Sequence, residues 1–267
     1  MIPYHVFLPG RANPPSSTAA AAALLRVVER ESDASYARMI AYRLAGAAAD
    51  ECEDCYFIAT EGDRCVSRLW YGWGRHADAI GNFGNFRTAD ELQGQGIGGR
   101  LMAMLAESLR GRNDPPLALF CTSSKPHLVR MYAKLGFRPA LTGTEKGPLY
   151  SPLAGSPETF PEFCRAYYRP ARELRLLAGT VGWRHEVDCL LNFALREAGE
   201  NPVGGPGGYS SFEAAFLALA GDPSLGKLER LVTDAERTVG WAFTPRGGRR
   251  ELLVHPDFRD LPIREEA

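Results

Sequence analysis

Four glycines crowd one short stretch, Gln93-Gly94-Gln95-Gly96-Ile97-Gly98-Gly99, and the residues after it are amphipathic. Ile97, Leu101, Met104, Leu105 and Leu109 recur on one helical face, and Gly111 stands just past the last of them as a stop. Ile80 to Arg87, before the loop, reads as a strand weakened by Gly81 and Gly84. Strand, glycine turn and helix start in that order can cradle an anion. Glycine adopts positive φ and lets a ligand approach with no Cβ in the way. A helix start leaves about four N–H groups unpaired at the positive end of the dipole. A pyrophosphate, polyanionic and rich in acceptors, suits such a site without any lysine. The loop alone is equally consistent with a simple tight turn.

The elements around the loop narrow the choice. Leu24, Leu25 and Val28 line one helix in the stretch 16–50, and Tyr36, Met39, Ile40 and Leu44 line a second. Cys55 to Thr60 and Cys65 to Trp73 form a hairpin across the turn signal Glu61-Gly62-Asp63. After the loop helix come a buried strand, Leu117 to Thr122, and a helix marked by Leu128, Met131, Tyr132 and Leu135 and closed by Gly136. A P-loop is excluded because no Gly-Lys-Ser/Thr ends the glycine stretch. A dinucleotide fold is excluded because two helices and a hairpin precede it. The class is mixed α/β, an α+β arrangement on a mixed sheet.

Proline and glycine become frequent from Thr144 to Pro170, which places a domain boundary near Tyr150, between residues 1–150 and 151–267. The second part offers a strand at Arg172 to Ala178. A helix carrying Trp183, Val187, Leu190, Leu191, Ala194 and Leu195 follows, then a Gly/Pro loop from Asn201 to Gly208 too polar to pack. Ser211 caps a helix through Leu219. Three strands follow at Leu228 to Thr233, Thr238 to Phe243 and Glu251 to Val254. Asp234-Ala235-Glu236-Arg237-Thr238-Val239 faintly echoes Glu61-Gly62-Asp63-Arg64-Cys65-Val66, each at a hairpin turn.

Composition limits the partners. Thirty-one basic against 32 acidic residues leave a net charge of −1 with no like-charge block, which argues against nucleic acid. No apolar stretch is long enough to span a bilayer, so no membrane is expected. The Ala-rich run from Thr18 to Val28 follows prolines and precedes Glu29, Arg30 and Glu31, which makes it a helix and the protein cytoplasmic. Cys52-Glu53-Asp54-Cys55 has metal-like spacing, but no second close pair completes a zinc site, and no metal is expected. Cys121 reads as core.

Gln93-Gly94-Gln95-Gly96-Ile97-Gly98 resembles the Q/R-x-x-G-x-G/A signature of the GNAT superfamily of acyl-CoA-dependent N-acetyltransferases. Tyr132-Ala133-Lys134-Leu135-Gly136-Phe137 resembles the same family's Y-x-K-L-G-F ending, and the two motifs flank the strand Leu117 to Thr122. The resemblance covers residues 16 to 150. It implies a GNAT fold that holds acetyl-CoA or another acyl-CoA on the loop amides. The coenzyme contacts carried over are Thr88, Gln93, Gly94, Gln95, Gly96, Ile97, Gly98, Gly99 and Lys125, although Lys125 stands where the family often has asparagine. The pantetheine arm is expected between the strands ending near Thr88 and beginning near Leu117. Tyr132 matches the family's general acid, and oxyanion donors are expected among the backbone N–H groups near Arg87 to Ala89.

The resemblance is incomplete. Many family members carry a glutamate on the strand before the loop, but Ile80-Gly81-Asn82-Phe83-Gly84-Asn85-Phe86 has no carboxylate. The substitute bases nearby are His76, Asp78, Asp90 and Glu91, of which His76 and Glu91 are carried forward with Tyr132 as catalytic candidates. Val254-His255-Pro256-Asp257-Phe258-Arg259 resembles the approach to a second glycine loop, but Pro262 and Arg264 stand where glycines should. The second part therefore reads as a smaller, incomplete, degenerate GNAT-like domain. The expected function is direct acyl transfer to a small-molecule amine. A fold repurposed to a non-acetylating reaction on a small metabolite stays open, as does a non-catalytic acyl-CoA binder, and so does a homodimer. Trp70, Tyr71, Trp73, Phe83 and Phe86 suit either an acceptor pocket or the core.

Overall fold

A computed structural model describes residues 2–141, 147–153, 155–200 and 205–264, in two compact units, Met1–Pro116 and Leu117–Ala267. The first unit runs β1 (Tyr4–Phe7), α1 (Pro15–Glu31), α2 (Ala34–Leu44), β2 (Cys52–Glu61), β3 (Arg64–Gly74), β4 (Gly81–Thr88) and α3 (Ile97–Arg110). Its strands pair antiparallel in the order β1-β2-β3-β4. Proline at the first position of α1 presets φ for the helix, and Asp33 caps α2 by accepting from the N–H groups of Ser35 and Tyr36.

Both faces of this sheet are covered, which is why β2 and β3 are buried almost throughout. Tyr56, Ile58 and Trp70 join Leu24, Val28 and Ile40 of the two helices in one core cluster. On the other face the Tyr71 hydroxyl meets Ser108 Oγ of α3 at 2.6 Å, beside buried Phe57. Strand alternation explains the division, since even and odd positions point to opposite faces. It also rules out a shared ion for Cys52 and Cys55, which lie three residues apart on β2 and therefore on opposite faces. Burial, opposed by a hydrogen bond with Tyr71, pushes the Cys55 thiol up to about 12.

The aromatic residues offered for an acceptor pocket are largely core. Trp70, Tyr71, Trp73 and Phe83 are buried, Tyr71 stacks on Trp73 at 5.3 Å, and Trp70 Nε1 donates to Asp54 at 2.7 Å. The carboxylate of buried Glu53 meets Arg11 at 2.9 Å, Arg75 at 2.6 Å and Arg112 at 2.7 Å, tying three loops to β2.

The second unit contains β5 (Ala118–Ser123), α4 (Pro126–Ala133), β6 (Arg138–Pro139), β7 (Gly147–Pro152) and α5 (Phe160–Tyr168). Within it β7 pairs with both β5 and β6. The boundary expected near Tyr150 falls inside β7. Prolines and glycines there mark turns, but ladder pairing binds 147–152 to 118–123, and Phe120 packs on Tyr150, Phe160, Phe163 and Phe193. Beyond α5 lie β8 (Leu174–Ala178), a helical run ending in α6 (Asn192–Glu197), α7 (Phe212–Gly221), β9 (Gly226–Thr233), β10 (Thr238–Pro245), β11 (Glu251–Val254) and β12 (Ile263–Arg264). Their order is β11-β10-β9-β8-β12, antiparallel except for the β8–β12 pair.

The helix expected over 183–195 is broken into a 3-10 turn, a π segment Glu186–Leu191 and α6. Its apolar side finds a partner within the same unit, where Val187, Leu191 and Leu195 pack with Phe212 and Trp241. Ser211 caps α7 through Ala214 N–H as expected. Asn201 to Gly204 of the Gly/Pro loop lie outside the described residues. Gly205 to Gly208, expected not to pack, do pack: a Cβ at Gly205 would fall 2.7 Å from Trp241, and one at Gly207 would fall 2.4 Å from Phe243. The absence of side chains is what lets this turn lie on the aromatic surface.

From β8 to β11 the second unit repeats the first. Each has a strand, a pair of helical segments, an antiparallel strand, a hairpin partner and a fourth strand, in the ladder orders β1-β2-β3-β4 and β8-β9-β10-β11. Each hairpin has one extra residue on its second strand, Val66 on β3 and Val239 on β10. Each of these carbonyls accepts from the residue that follows the fourth strand, Ala89 N–H at 2.8 Å and His255 N–H at 2.7 Å. A 3-10 turn comes next in both, Asp90–Leu92 and Pro256–Phe258.

Candidate functional site

The glycine loop is built from below by β4. Ser67 Oγ and Thr88 Oγ1 lie 2.8 Å apart and fix the end of the strand. Gln93 Nε2 donates to the Thr88 carbonyl at 3.2 Å and to Asp90 at 2.8 Å, and Gln95 Nε2 donates to the Glu91 carbonyl at 3.4 Å. These two side chains brace the turn, so ligand donors must come from the backbone. Gly94 and Gly96 hold φ of +78° and +81°, where a Cβ costs energy. A Cβ added to Gly94, Gly96 or Gly99 would meet nothing within 4 Å, so the loop stands open.

Gly98 is different. A Cβ there would press on Phe86 at 3.0 Å and Thr88 Oγ1 at 3.1 Å, so this glycine lets α3 lie against β4. Ile97, Leu101, Met102 and Leu105 anchor the helix in the core. No side chain caps α3, and Gly96 is its N-cap. The N–H groups of its first turn therefore face an open, glycine-lined surface at the positive end of a 14-residue helix. This donor set fits a pyrophosphate.

Beside the loop, β4 is bulged. Arg68 pairs with Arg87 and Trp70 with Gly84, so Leu69 alone faces both Asn85 and Phe86. Asn85 sits at φ +51°, a left-handed conformation that asparagine tolerates better than most residues. Its Oδ1 accepts from Arg68 Nε at 2.9 Å, and Arg68 and Arg87 reach Glu31 at 3.3 and 3.5 Å. With Oδ1 engaged, the amide Nδ2 points elsewhere, and it is buried without an acceptor among the described residues. Residues 31, 68, 85 and 87 come from three elements with no shared spacing. Along the chain they leave no common pattern beyond two asparagines, Asn82 and Asn85, on a strand without a carboxylate.

The expected oxyanion donors shift accordingly. Ala89 N–H is already engaged by the Val66 carbonyl at 2.8 Å. The suggested bases are poorly suited. Glu91 is exposed and paired with Arg64 at 2.7 Å. Hydrogen bonds from its own backbone N–H and from Arg64 hold its carboxyl below the usual range, which weakens it as a base. His76 lies in the turn before β4, toward the opposite end of that strand from Thr88.

In the second unit, Lys125 is exposed and precedes α4, and its N–H donates to Ser123 Oγ at 3.2 Å. Tyr132 on α4 is 4% exposed. Burial first, and then neighbouring Cys121, hold its hydroxyl well above the ordinary range, so it stays protonated at neutral pH. Cys121 is itself buried with its thiol raised by that burial, as expected for a core residue. Among the described residues no group of His, Cys, Asp and Glu is arranged to hold a metal, and no helix is long and apolar enough to cross a membrane.

Comparison with known proteins agrees with the motif. Residues 26–147 match the family described as acetyltransferase (GNAT) domain. No curated protein matches the chain. Among solved structures, a GNAT-family acetyltransferase of Desulfovibrio desulfuricans is 20% identical over 57% of this chain and 98% of its own, with a TM-score of 0.40. An acyl-CoA N-acyltransferase from Pseudomonas aeruginosa is 18% identical over 57% and 99%, with a TM-score of 0.39. The Escherichia coli GNAT-family N-acetyltransferase YhbS, solved with CoA, is 17% identical over 58% and 83%, with a TM-score of 0.40. Likenesses this distant carry no argument of their own. Over residues 26–147 the chain is thus similar to the acetyltransferase (GNAT) domain, a family of acyltransferases that use acetyl-CoA or another acyl-CoA.

Proposed function

We propose that this protein transfers an acyl group, acetyl in the simplest case, from acyl-CoA directly to the amine of a small molecule. The observation that carries the reading is the open N-terminus of α3, uncapped by any side chain and lined by glycines where Cβ atoms would find empty space. Backbone amides of Gln95, Gly96, Gly98 and Gly99 hold the pyrophosphate, and Thr88, Gln93 and Gln95 shape the loop. The neutral amine attacks the thioester carbon, the carbonyl oxygen becomes an oxyanion, and collapse expels the CoA thiolate. Asn85 Nδ2, held by the Glu31–Arg68 chain, donates to the oxyanion. Tyr132, assigned by its place in the motif, gives its proton to the departing thiolate, and the proton that the attacking nitrogen sheds passes through water to restore the Tyr132 hydroxyl.

No strand carboxylate deprotonates the amine, so the acceptor either arrives neutral or loses its proton to water. Glu91 and His76 are demoted on the grounds given above. The absence of a carboxylate on β4 also favours a second reading, an acyl-CoA binder without transferase turnover. The coenzyme domain in this view extends through β7, and the strands β8 to β11 belong to a degenerate copy, a view supported by the repeated strand order and the paired bulges at Val66 and Val239.

Gly96→Asp tests the coenzyme assignment. It puts a negative charge against the pyrophosphate and a Cβ at positive φ. Calorimetry should show acetyl-CoA affinity lowered about 100-fold or more. Unchanged affinity removes the loop from the site.

A further inference from the structure

The second unit contains a cavity of about 690 Å³ where α5, α6 and the turn after β11 come together. That volume suits a small molecule. His255 forms part of its wall and is 6% exposed. Its ring lies edge-on to Tyr168 at 4.5 Å and to Phe258 at 5.2 Å. Nδ1 accepts from the Asp257 N–H at 3.2 Å, which leaves the proton of the neutral ring on Nε2. Burial holds the ring neutral by lowering its pKa to about 4, against the pull of Asp257. Nε2–H then has no acceptor among the described residues, and the buried Tyr168 hydroxyl has none either.

The charges around the cavity are equally unspent. Arg165 and Arg169 line it, as do Glu197 and Asp257, and none of the four makes an ion pair among the described residues. Arg165, Glu197 and Asp257 line the same crevice as half-buried Cys164, whose thiol feels all three charges. Arg169 follows α5 at φ +55° and ψ 157°, a backbone region nearly reserved for glycine.

A crevice of the first unit, at the end of α1 and the turn after β4, gives a contrast. It measures about 200 Å³. Apart from Asp90, its charges are consumed in pairs, Glu31 with Arg30, Arg68 and Arg87, and Glu91 with Arg64. The second crevice is more than three times larger and keeps both signs unpaired.

We propose that the second unit holds its own small-molecule site, and that its ligand is a zwitterionic amino acid with an apolar side chain. The carboxylate takes His255 Nε2–H and the Arg165 and Arg169 guanidinium groups. The ammonium takes Glu197 and Asp257, and the apolar body rests on Tyr168, Phe258 and Ala194. A plain acid meets two repelling carboxylates there, and a plain amine meets two repelling cations. The site goes beyond acyl transfer and does not depend on the glycine loop.

Calorimetry on the full chain tests this with L-phenylalanine, N-acetylphenylalanine and phenethylamine as probes. L-phenylalanine should bind, and the two probes lacking one charge should bind at least about tenfold more weakly. His255→Phe keeps the ring packing, removes the donor and should weaken L-phenylalanine by about 10- to 100-fold. Arg169→Gly removes one cation while relieving the backbone, so it should weaken binding without lowering the melting temperature. Gly96→Asp should leave L-phenylalanine binding intact. Failure of L-phenylalanine to bind at millimolar concentration, or equal binding of all three probes, overturns the proposal. So does binding that both second-unit variants leave unchanged, which would put the amino acid in the acceptor site of the first unit.

Discussion

The strands β1–β4 and β8–β11 have the same order, the same hairpin bulge and the same backbone clasp at Val66–Ala89 and Val239–His255, yet they end differently. After its 3-10 turn the first enters a glycine loop and the open start of a 14-residue helix. The second runs into Ile263–Arg264, which pairs parallel with β8 and closes that edge of the sheet. A strand there consumes backbone donors in its ladder, whereas a helix start leaves them exposed. The same strand order thus ends in exposed donors in the first unit and in donors spent on the unit's own sheet in the second.

The largest expected effect breaks the chain between the copies. A fragment ending at Pro152 keeps Phe120 and Tyr150 but removes Phe160, Phe163 and Phe193, which pack on them. It should aggregate, as gel filtration would show. A monodisperse fragment that binds acetyl-CoA would make the first copy self-sufficient. Next comes Tyr132→Phe, which keeps the ring beside Phe137 and should lower kcat by about 10²–10⁴-fold in an amine-dependent CoA-release assay. Full activity would leave the thiolate to be protonated by water. Asn85→Gly removes the amide and suits the left-handed backbone. It should lower kcat by about 10²–10³-fold while the melting temperature holds or rises. A loss of kcat that tracked a loss of stability would reduce Asn85 to a structural role.

The clasp residues give a pH test. His255 occupies the position that Ala89 holds in the first copy. Its pKa is about 4 when folded, so between pH 6.5 and 4 the unfolded chain binds the extra proton. Stability contributed by the neutral ring is intact above pH 6.5 and falls by about 2–3 kcal/mol on acidification to pH 4. Urea unfolding across that range should show the loss in the parent chain and not in His255→Phe. The smallest effect compares two buried glutamates. Glu53 has three guanidinium partners within 2.9 Å, whereas Glu229 has Lys227 at 2.5 Å and Arg250 at 3.7 Å. Because the arginines are partly exposed, Glu53→Ala should cost about 2 kcal/mol. Glu229→Ala should cost less, and the reverse order in chemical denaturation would contradict the pairing described.

The sequence by itself determined most elements whose signal is local, although α5 is hidden within a Pro/Gly stretch in spite of its Thr159 cap. Periodicity and capping located α1 to α4, α7 and strands β2 to β5 and β8 to β11, and the glycine spacing located the loop. These signals survive because side-chain alternation and capping act within a few residues. Short pieces held only by partners escaped: β1 is paired by β2, β12 by β8, and β7, read as a boundary, by β5 and β6. Tertiary structure alone decided the rest, because those facts join residues far apart in sequence. Glu31, Arg68 and Asn85 meet across three elements, His255 gains its neutrality from burial beside α5, and Val66 and Val239 become equivalent only when both ladders are aligned. A glycine loop advertises its chemistry along the chain, whereas a buried imidazole or a strained asparagine acquires its chemistry from neighbours that the chain reaches only by folding.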